Sequence, residues 1–380
     1  MFKRKGAVAQ AGLAVLALLL LLPENLDWTQ STTTVDAVAK NPIEPSRYQN
    51  YQFGGPGDAI IDAGFQPVAI PTGTVPAVMV HDRVLAQELA VEGKKLTFHP
   101  FLDGADANTY LFSGRLECMW AGDMPTILAA SRRAIVVTAQ VKTSFASIVA
   151  RDLQTMEQLK NRRIGYTLGS SAHHVLLQGL ARYHMDEYDV HMVRMPVNRM
   201  IPALQNGTID AFVAWEPIPS MAQETIKDLS TPYRALVQSY FYFARHFSDS
   251  HPNLVRIMTA ANLRAVRWLS QSRDHIRQGC RWHIGLANAF LHEPYMISVD
   301  QCIAIVQRDL LDPLPMTALA MDTLKQGGLI FQQVQFLKNL GLLSPESDPD
   351  RIWDAFDPGI LAEIIKEQDR WKINKFDYSM

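Results

Sequence analysis

The chain has 380 residues, 48% hydrophobic and 19% charged, with a formal net charge of -2. That length exceeds one ordinary domain and favours two compact lobes. A near-neutral balance, with no Lys/Arg-rich run after residue 5, excludes a polyanionic partner, so no nucleic acid is expected.

Lys3, Arg4 and Lys5 precede an apolar run from Gly6 to Leu22, the layout of an export signal. No small-residue cleavage site follows at once, and the nearest A-x-A is Ala37-Val38-Ala39. The run is also just long enough to span a bilayer. Residues 1–26 therefore read as a signal peptide or an N-terminal membrane anchor, with the body on the periplasmic or outer face of the membrane. Residues 27–63, rich in turn formers ("STTTVD", "NPIEPSRYQN", "FGGPGD"), read as a polar tether. Cys118, Cys280 and Cys302 show no C-x-x-C spacing and are read as buried free thiols, with a Cys280–Cys302 bridge as the alternative.

From Phe65 the pattern alternates strand and helix. "QPVAIPTG" is expected as a strand, followed by one helix over about 75–92 with Thr74 as its N-cap and Pro76 in its first turn. "KLTFHPF" and "ECMWAG" are expected strands flanking a helix near 107–114. "DMPTILAASR" opens a helix at Asp123, and "AIVVTAQV" and "FASIVAR" are two further strands. A second run begins at the strand Arg163–Leu168. The helix after it carries Ala172, Val175, Leu176, Gly179, Leu180 and Tyr183 on one face. "DVHMVRM" and the apolar "IDAFVAW" are strands around a helix that ends at Asn206-Gly207. After about Tyr240 the pattern is helical to the end. Alternation of this kind predicts an α/β fold with a parallel sheet covered on both faces, in two units plus a helical tail.

The corner "LGSSAH" admits three chemistries. A P-loop needs a lysine that is absent, and a nucleophile elbow needs a second glycine where Ala172 and His173 stand. A helix N-terminus that takes a small anion needs only Gly169 for close approach, the Ser170 and Ser171 hydroxyls, and the helix's partial positive charge. The simpler account is that Ser170 merely caps its helix. Thr72 to Thr74, Asp123, Gly169 to Ser171, and Trp215 to Glu216 all fall where strands run into helices, the end of a parallel sheet at which ligands gather.

"AGDMPTILAA", "IGYTLGSSAHHVLLQGL" and "LQNGTIDAFVAWEP" resemble the matching stretches of periplasmic substrate-binding proteins of ABC transporters, in the branch for sulfonates, taurine, nitrate and thiamine-precursor pyrimidines. "HFSDSHPNLVRIMTAANLRAVRWL" resembles the helix that follows the chain's return to the first lobe in that family, and the likeness covers about 65–343. The resemblance implies the type 2 periplasmic binding protein fold: two Rossmann-like lobes joined by a two-strand hinge, here 64–145 plus 241–380, and 146–240. It implies a small anionic ligand delivered to an ABC permease, with no cofactor and no metal. Ser170, Ser171 and the amides at Gly169 to Ala172 would receive the acidic group. Asp123 would face the cleft from the other lobe, Trp215 and Glu216 would line the far wall, and Thr72, Gly73 and Thr74 would border it. Trp120 is expected to project toward the pocket.

Plainer roles stand beside these: Trp215 as a core residue at a strand end, Glu216 as an exposed or capping residue before a proline, and Asp123 as a cap. His173 and His174 are adjacent on a helix and point about 100° apart, which suits one metal ion poorly. The alternative functions are an enzyme on the same scaffold, of thiamine-pyrimidine or menaquinone-pathway type, and a membrane-tethered sensory or adaptor protein with a plugged cleft.

Overall fold

The computed structural model describes residues 45–55, 57–310, 328–339, 341, 343–345 and 352–378. The basic cluster, the apolar run at 6–22 and residues 27–44 of the expected tether lie outside this set. No helix among the described residues is long and apolar enough to cross a membrane.

Eight strands form one sheet: β1 Ile60–Phe65, β2 Lys95–Pro100, β3 Cys118–Gly122, β4 Ile135–Arg151, β5 Arg163–Tyr166, β6 His191–Arg194, β7 Ala211–Trp215 and β8 Leu229–Ala244, in the order β2-β1-β3-β8-β4-β7-β5-β6. At one end β1 runs parallel to β2 and β3, and at the other β5 runs parallel to β6 and β7. The helices are α1 Pro45–Tyr48, α2 Thr74–Met79, α3 Arg83–Val91, α4 Gly104–Phe112, α5 Asp123–Ser131, α6 Ser171–Arg182, α7 Met200–Gln205, α8 Ile218–Thr225, α9 Arg245–Ser250, α10 Pro252–Gln271, α11 Arg273–Leu291, α12 Val299–Asp309, α13 Leu329–Asn339 and α14 Pro358–Lys366. The two parallel ends are thus βαβ half-sheets, as the alternation implies.

The middle of the sheet is antiparallel, which the alternation alone does not anticipate. β4 and β8, 17 and 16 residues long, pair with each other along most of their length; β8 pairs with β3, and the end of β4 pairs with β7. Both half-sheets therefore hang on the same two strands. β4 replaces the two strands expected over 134–151. Its pairing to β8 shifts register between Gln140 and Lys142, and such a bulge re-aims a side chain.

Several expectations are corrected. Within the stretch read as a tether, Tyr48 and residues 61–63 are buried in the body. The Tyr48 ring is buried, its hydroxyl donating to Asp106 Oδ2 (3.1 Å) and accepting from the Leu102 N–H (3.1 Å), and β1 already begins at Ile60. "QPVAIPTG" is a run of turns following β1, where Pro67 and Pro71 cannot donate to a ladder. The single helix over 75–92 is two helices, because Asp82 caps α3 through the Leu85 N–H (3.0 Å) and pairs with the buried Arg264 guanidinium (2.8 Å). Cys280 and Cys302 are joined in a disulfide, their Cα atoms 5.9 Å apart, and tie α11 to α12. The reading as three free thiols fails there; only Cys118 is free among the described residues, and it is buried. Trp120 points into the core, stacked on Phe241 (4.1 Å) with its indole N–H on Asn262 Oδ1 (2.8 Å). Its size and one polar atom are both satisfied there.

Candidate functional site

β5 ends at Tyr166, and Gly169, at φ +70°, turns the chain into α6. The Ser170 hydroxyl accepts the His173 N–H (3.2 Å) and donates to the Thr167 carbonyl (2.7 Å), so it is the cap that sequence reasoning weighed against a ligand role. The Ser171 hydroxyl donates to Asp123 Oδ1. What α6 leaves unused are the backbone N–H groups of Ser171 and Ala172, which find no acceptor among the described residues. Together with the helix dipole they form an electropositive corner. Ala172, Val175, Leu176, Gly179 and Leu180 bury the other face of α6, while Tyr183 is exposed, unlike the expectation for that face.

Ser171 meets Asp123 across the gap between the half-sheets, and the Asp123 carboxylate is then fully engaged. Oδ2 accepts the Gln238 N–H from β8 (3.0 Å) and the Gln333 side-chain amide from α13 (2.5 Å), while Oδ1 also accepts the Met124 N–H (2.8 Å). Its side chain is wholly buried. It holds the protein's own elements together and does not border the cavity.

Beside this junction lies a cavity of ≈ 40 Å³ lined by residues of both half-sheets and of the shared strands, among them Thr72, Gly122, Lys142, Ser171, Trp215 and Ser239. Of the nine positions expected at a ligand, Thr72, Gly169, Ser170, Ser171 and Trp215 border it, and Gly73, Thr74, Asp123 and Glu216 do not. Thr72 spends its hydroxyl on Ser239 (2.9 Å) and Thr74 on His283 Nδ1 (3.0 Å), so Thr74 caps nothing. Gly73 is a packing glycine: a Cβ there would stand 2.4 Å from the Gln66 carbonyl oxygen. Glu216 is buried, with Oε1 on the Arg308 guanidinium (3.0 Å) and Oε2 on the Ser220 N–H (3.4 Å). Trp215, also buried, has an indole N–H with no acceptor among the described residues.

Lys142 is the residue sequence reasoning missed. It projects from the irregular middle of β4, lines the cavity and is 2% exposed. No hydrogen bond or ion pair of its ammonium is formed among the described residues. Burial pulls its pKa down to about 8, against the upward pull of Asp309, Glu216 and Asp123, with Arg308 adding to the fall. Around it, Asp309 accepts from the Ser144 hydroxyl (2.5 Å) and pairs with Arg308, and the Lys142 backbone bridges Leu310 at the end of α12. The signal available in the sequence was a lysine between two apolar segments, which reads more simply as a loop.

His173 and His174 are buried against the Phe336 ring of α13 (6.1 and 4.5 Å). Burial pushes both imidazoles down to about 4. No group of three or more metal-ligating side chains occurs among the described residues.

Residues 123–284 match the model of the NMT1-like family. The taurine-binding periplasmic protein of Escherichia coli K12 is 24% identical over 225 residues, which is 54% of this chain and 69% of that one. Among solved structures, the alkanesulfonate-binding protein SsuA from Xanthomonas axonopodis pv. citri, bound to MOPS, superposes with a TM-score of 0.59 at 19% identity, over 80% of this chain and 99% of the other. The desulfurization enzyme DSZB superposes at 0.56 and 16% identity, over 82% and 100%. The resemblance to periplasmic substrate-binding proteins read from the sequence holds, and the fold, two half-sheets on a shared antiparallel pair, is theirs.

Proposed function

We propose that the protein is a substrate-binding protein: it takes a small anion into the cavity between its half-sheets and delivers it to an ABC-type importer at the outer face of the cytoplasmic membrane. In this reading the half-sheets are lobes of 64–145 plus 241–380 and of 146–240, and β4 and β8 are the hinge about which they close. Residues 6–22 supply the export leader or the anchor, and the solute is a sulfonate, nitrate or related organic acid. The periplasmic setting is supported by the name of the taurine-binding periplasmic relative, and the importer by a structural neighbour named as the periplasmic sulfonate-binding protein of a putative sulfonate ABC transporter.

One observation carries the reading. Lys142, Trp215 and the first turn of α6 line one small cavity, and among the described residues the Lys142 ammonium, the Trp215 indole N–H and the leading α6 amides have no acceptor. Buried donors are ordinarily satisfied, and a buried unpaired cation is costly, so free donors from three elements at one place call for an anionic guest.

The test is thermal denaturation of the purified 380-residue chain with taurine, short alkanesulfonates, nitrate and small carboxylates. A ligand at 100 times its Kd stabilises a fold by about 2.7 kcal/mol, so a rise of several degrees is expected with at least one of them. No shift with any at millimolar concentration would sink the proposal.

A further inference from the structure

The free donors come from three different elements, α6, β7 and β4, and only the one on β4 carries a full charge. We infer that Lys142 sets the charge selectivity of the cavity, admitting a singly charged oxyanion of a strong acid and taking up a proton as that anion binds. This rests on the anion-binding reading above and goes further, naming the charge of the guest and the residue that chooses it.

The surroundings of Lys142 decide the charge. Among the described residues, the charges that act on it are Asp309 and Arg308 at the end of α12, Glu216 just after β7 and Asp123 at the start of α5. Counted at formal charge, Lys142 and Arg308 give +2 and the three carboxylates -3, a balance of -1 before any guest enters. Arg308 is held by Glu216 and Asp309, and Asp123 by its four donors, so none of these is free to turn toward a ligand. A dianion such as sulfate would add two charges to a neighbourhood already negative. A monoanion satisfies the one unpaired ammonium and leaves its remaining oxygens for the Trp215 N–H and the α6 amides. The cavity, ≈ 40 Å³, has room for a few waters and hence for the head group of a nitrate or sulfonate.

Proton uptake follows from the same placement. Empty, the site holds an ammonium that burial disfavours, with its pKa at about 8. An anion in contact favours the charged form and raises that value. Above pH 8 the free protein has largely lost the proton that the complex keeps, so binding must recover it and affinity falls as pH rises. Nitrate and sulfonates stay ionised throughout, so a proton taken up on binding goes to the protein and not to the ligand.

Isothermal titration of the 380-residue chain with nitrate, methanesulfonate and sulfate, from about pH 6.5 to 9.5 in buffers of different ionisation enthalpy, tests this. The expected result is binding of nitrate or methanesulfonate at least tenfold tighter than sulfate. The Kd should be flat below pH 7 and about tenfold weaker at pH 9 than at pH 7, with roughly half a proton taken up per anion at pH 8. Lys142→Met should lose tenfold or more in affinity and the pH slope with it. If it fails to fold, the wild-type proton count decides. Binding without proton uptake, or sulfate bound as tightly as methanesulfonate, overturns the inference and leaves the anion-binding reading standing. No binding of any of the three at any pH overturns both.

Discussion

The two half-sheets bring similar corners to the cavity and use them differently. On the β1–β3 side, Thr72, Thr74 and Asp123 are consumed by contacts within the protein: Ser239, His283, and a set of donors that includes both α6 and α13. On the β5–β7 side, Trp215 and the first turn of α6 keep their donors free. The polar side chains of the first corner are all scaffold; the second spends Ser170, Ser171 and Glu216 in the same way but keeps the Trp215 indole N–H and the leading α6 amides unspent. A polar residue at the mouth of a parallel sheet is thus no evidence of ligand contact until its hydrogen bonds have been counted.

Substitution at the scaffold corner should damage the fold most. Asp123→Ala strips the acceptor from Ser171, Gln238 and Gln333 at a wholly buried site. A loss of about 3 kcal/mol in stability is expected from leaving buried donors unpaired, measurable by urea denaturation without ligand. A stable Asp123→Ala protein with weakened anion affinity would reverse the comparison and make Asp123 a binding residue.

Acid should act on both sides, through histidines held neutral by burial. His283, paired with Thr74 on the scaffold side, has a folded-state pKa of about 4, as do His173 and His174 on α6. The ordinary value in the unfolded chain is about 6.5. The unfolded state therefore takes up protons first as pH falls from about 6.5 to 4, and stability falls across that window. At pH 5 the loss from His283 alone is about 2 kcal/mol relative to pH 7. Urea denaturation at the two pH values checks this, and His283→Gln should remove that share of the slope.

The corners were legible in the sequence because each is local. Gly169 followed by Ser170 and Ser171 at the head of a periodic apolar helix specifies a turn, a cap and exposed amides within a few residues. Most strand and helix positions followed for the same reason. What was hidden depends on contacts made far along the chain. Gln333 reaches Asp123 from 210 residues away. Arg308 takes Glu216, which alone reads as an exposed glutamate before a proline. Cys280 and Cys302 meet only because α11 and α12 pack together. Lys142 was missed because "VKTS" in the middle of an apolar run looks like a loop when its surroundings are taken to be water; here it is a bulged strand whose polar side chains face a cavity and the end of α12.

The smallest effect should be the most discriminating. Replacing Trp215 by the indole isostere 3-benzothienylalanine keeps the bicyclic ring and removes only the N–H, which has no partner within the described protein. If Trp215 were scaffold like Thr72, deleting its donor would cost stability. If it belongs to the binding side, stability should hold or rise slightly, since an unsatisfied buried donor is gone. Anion affinity should then fall by roughly tenfold, about 1.4 kcal/mol, the scale of one hydrogen bond to a charged group. Calorimetric titration and thermal denaturation of the same preparation separate the two cases. Loss of stability with unchanged affinity would place Trp215 with the scaffold and leave Lys142 and the α6 amides as the remaining binding donors.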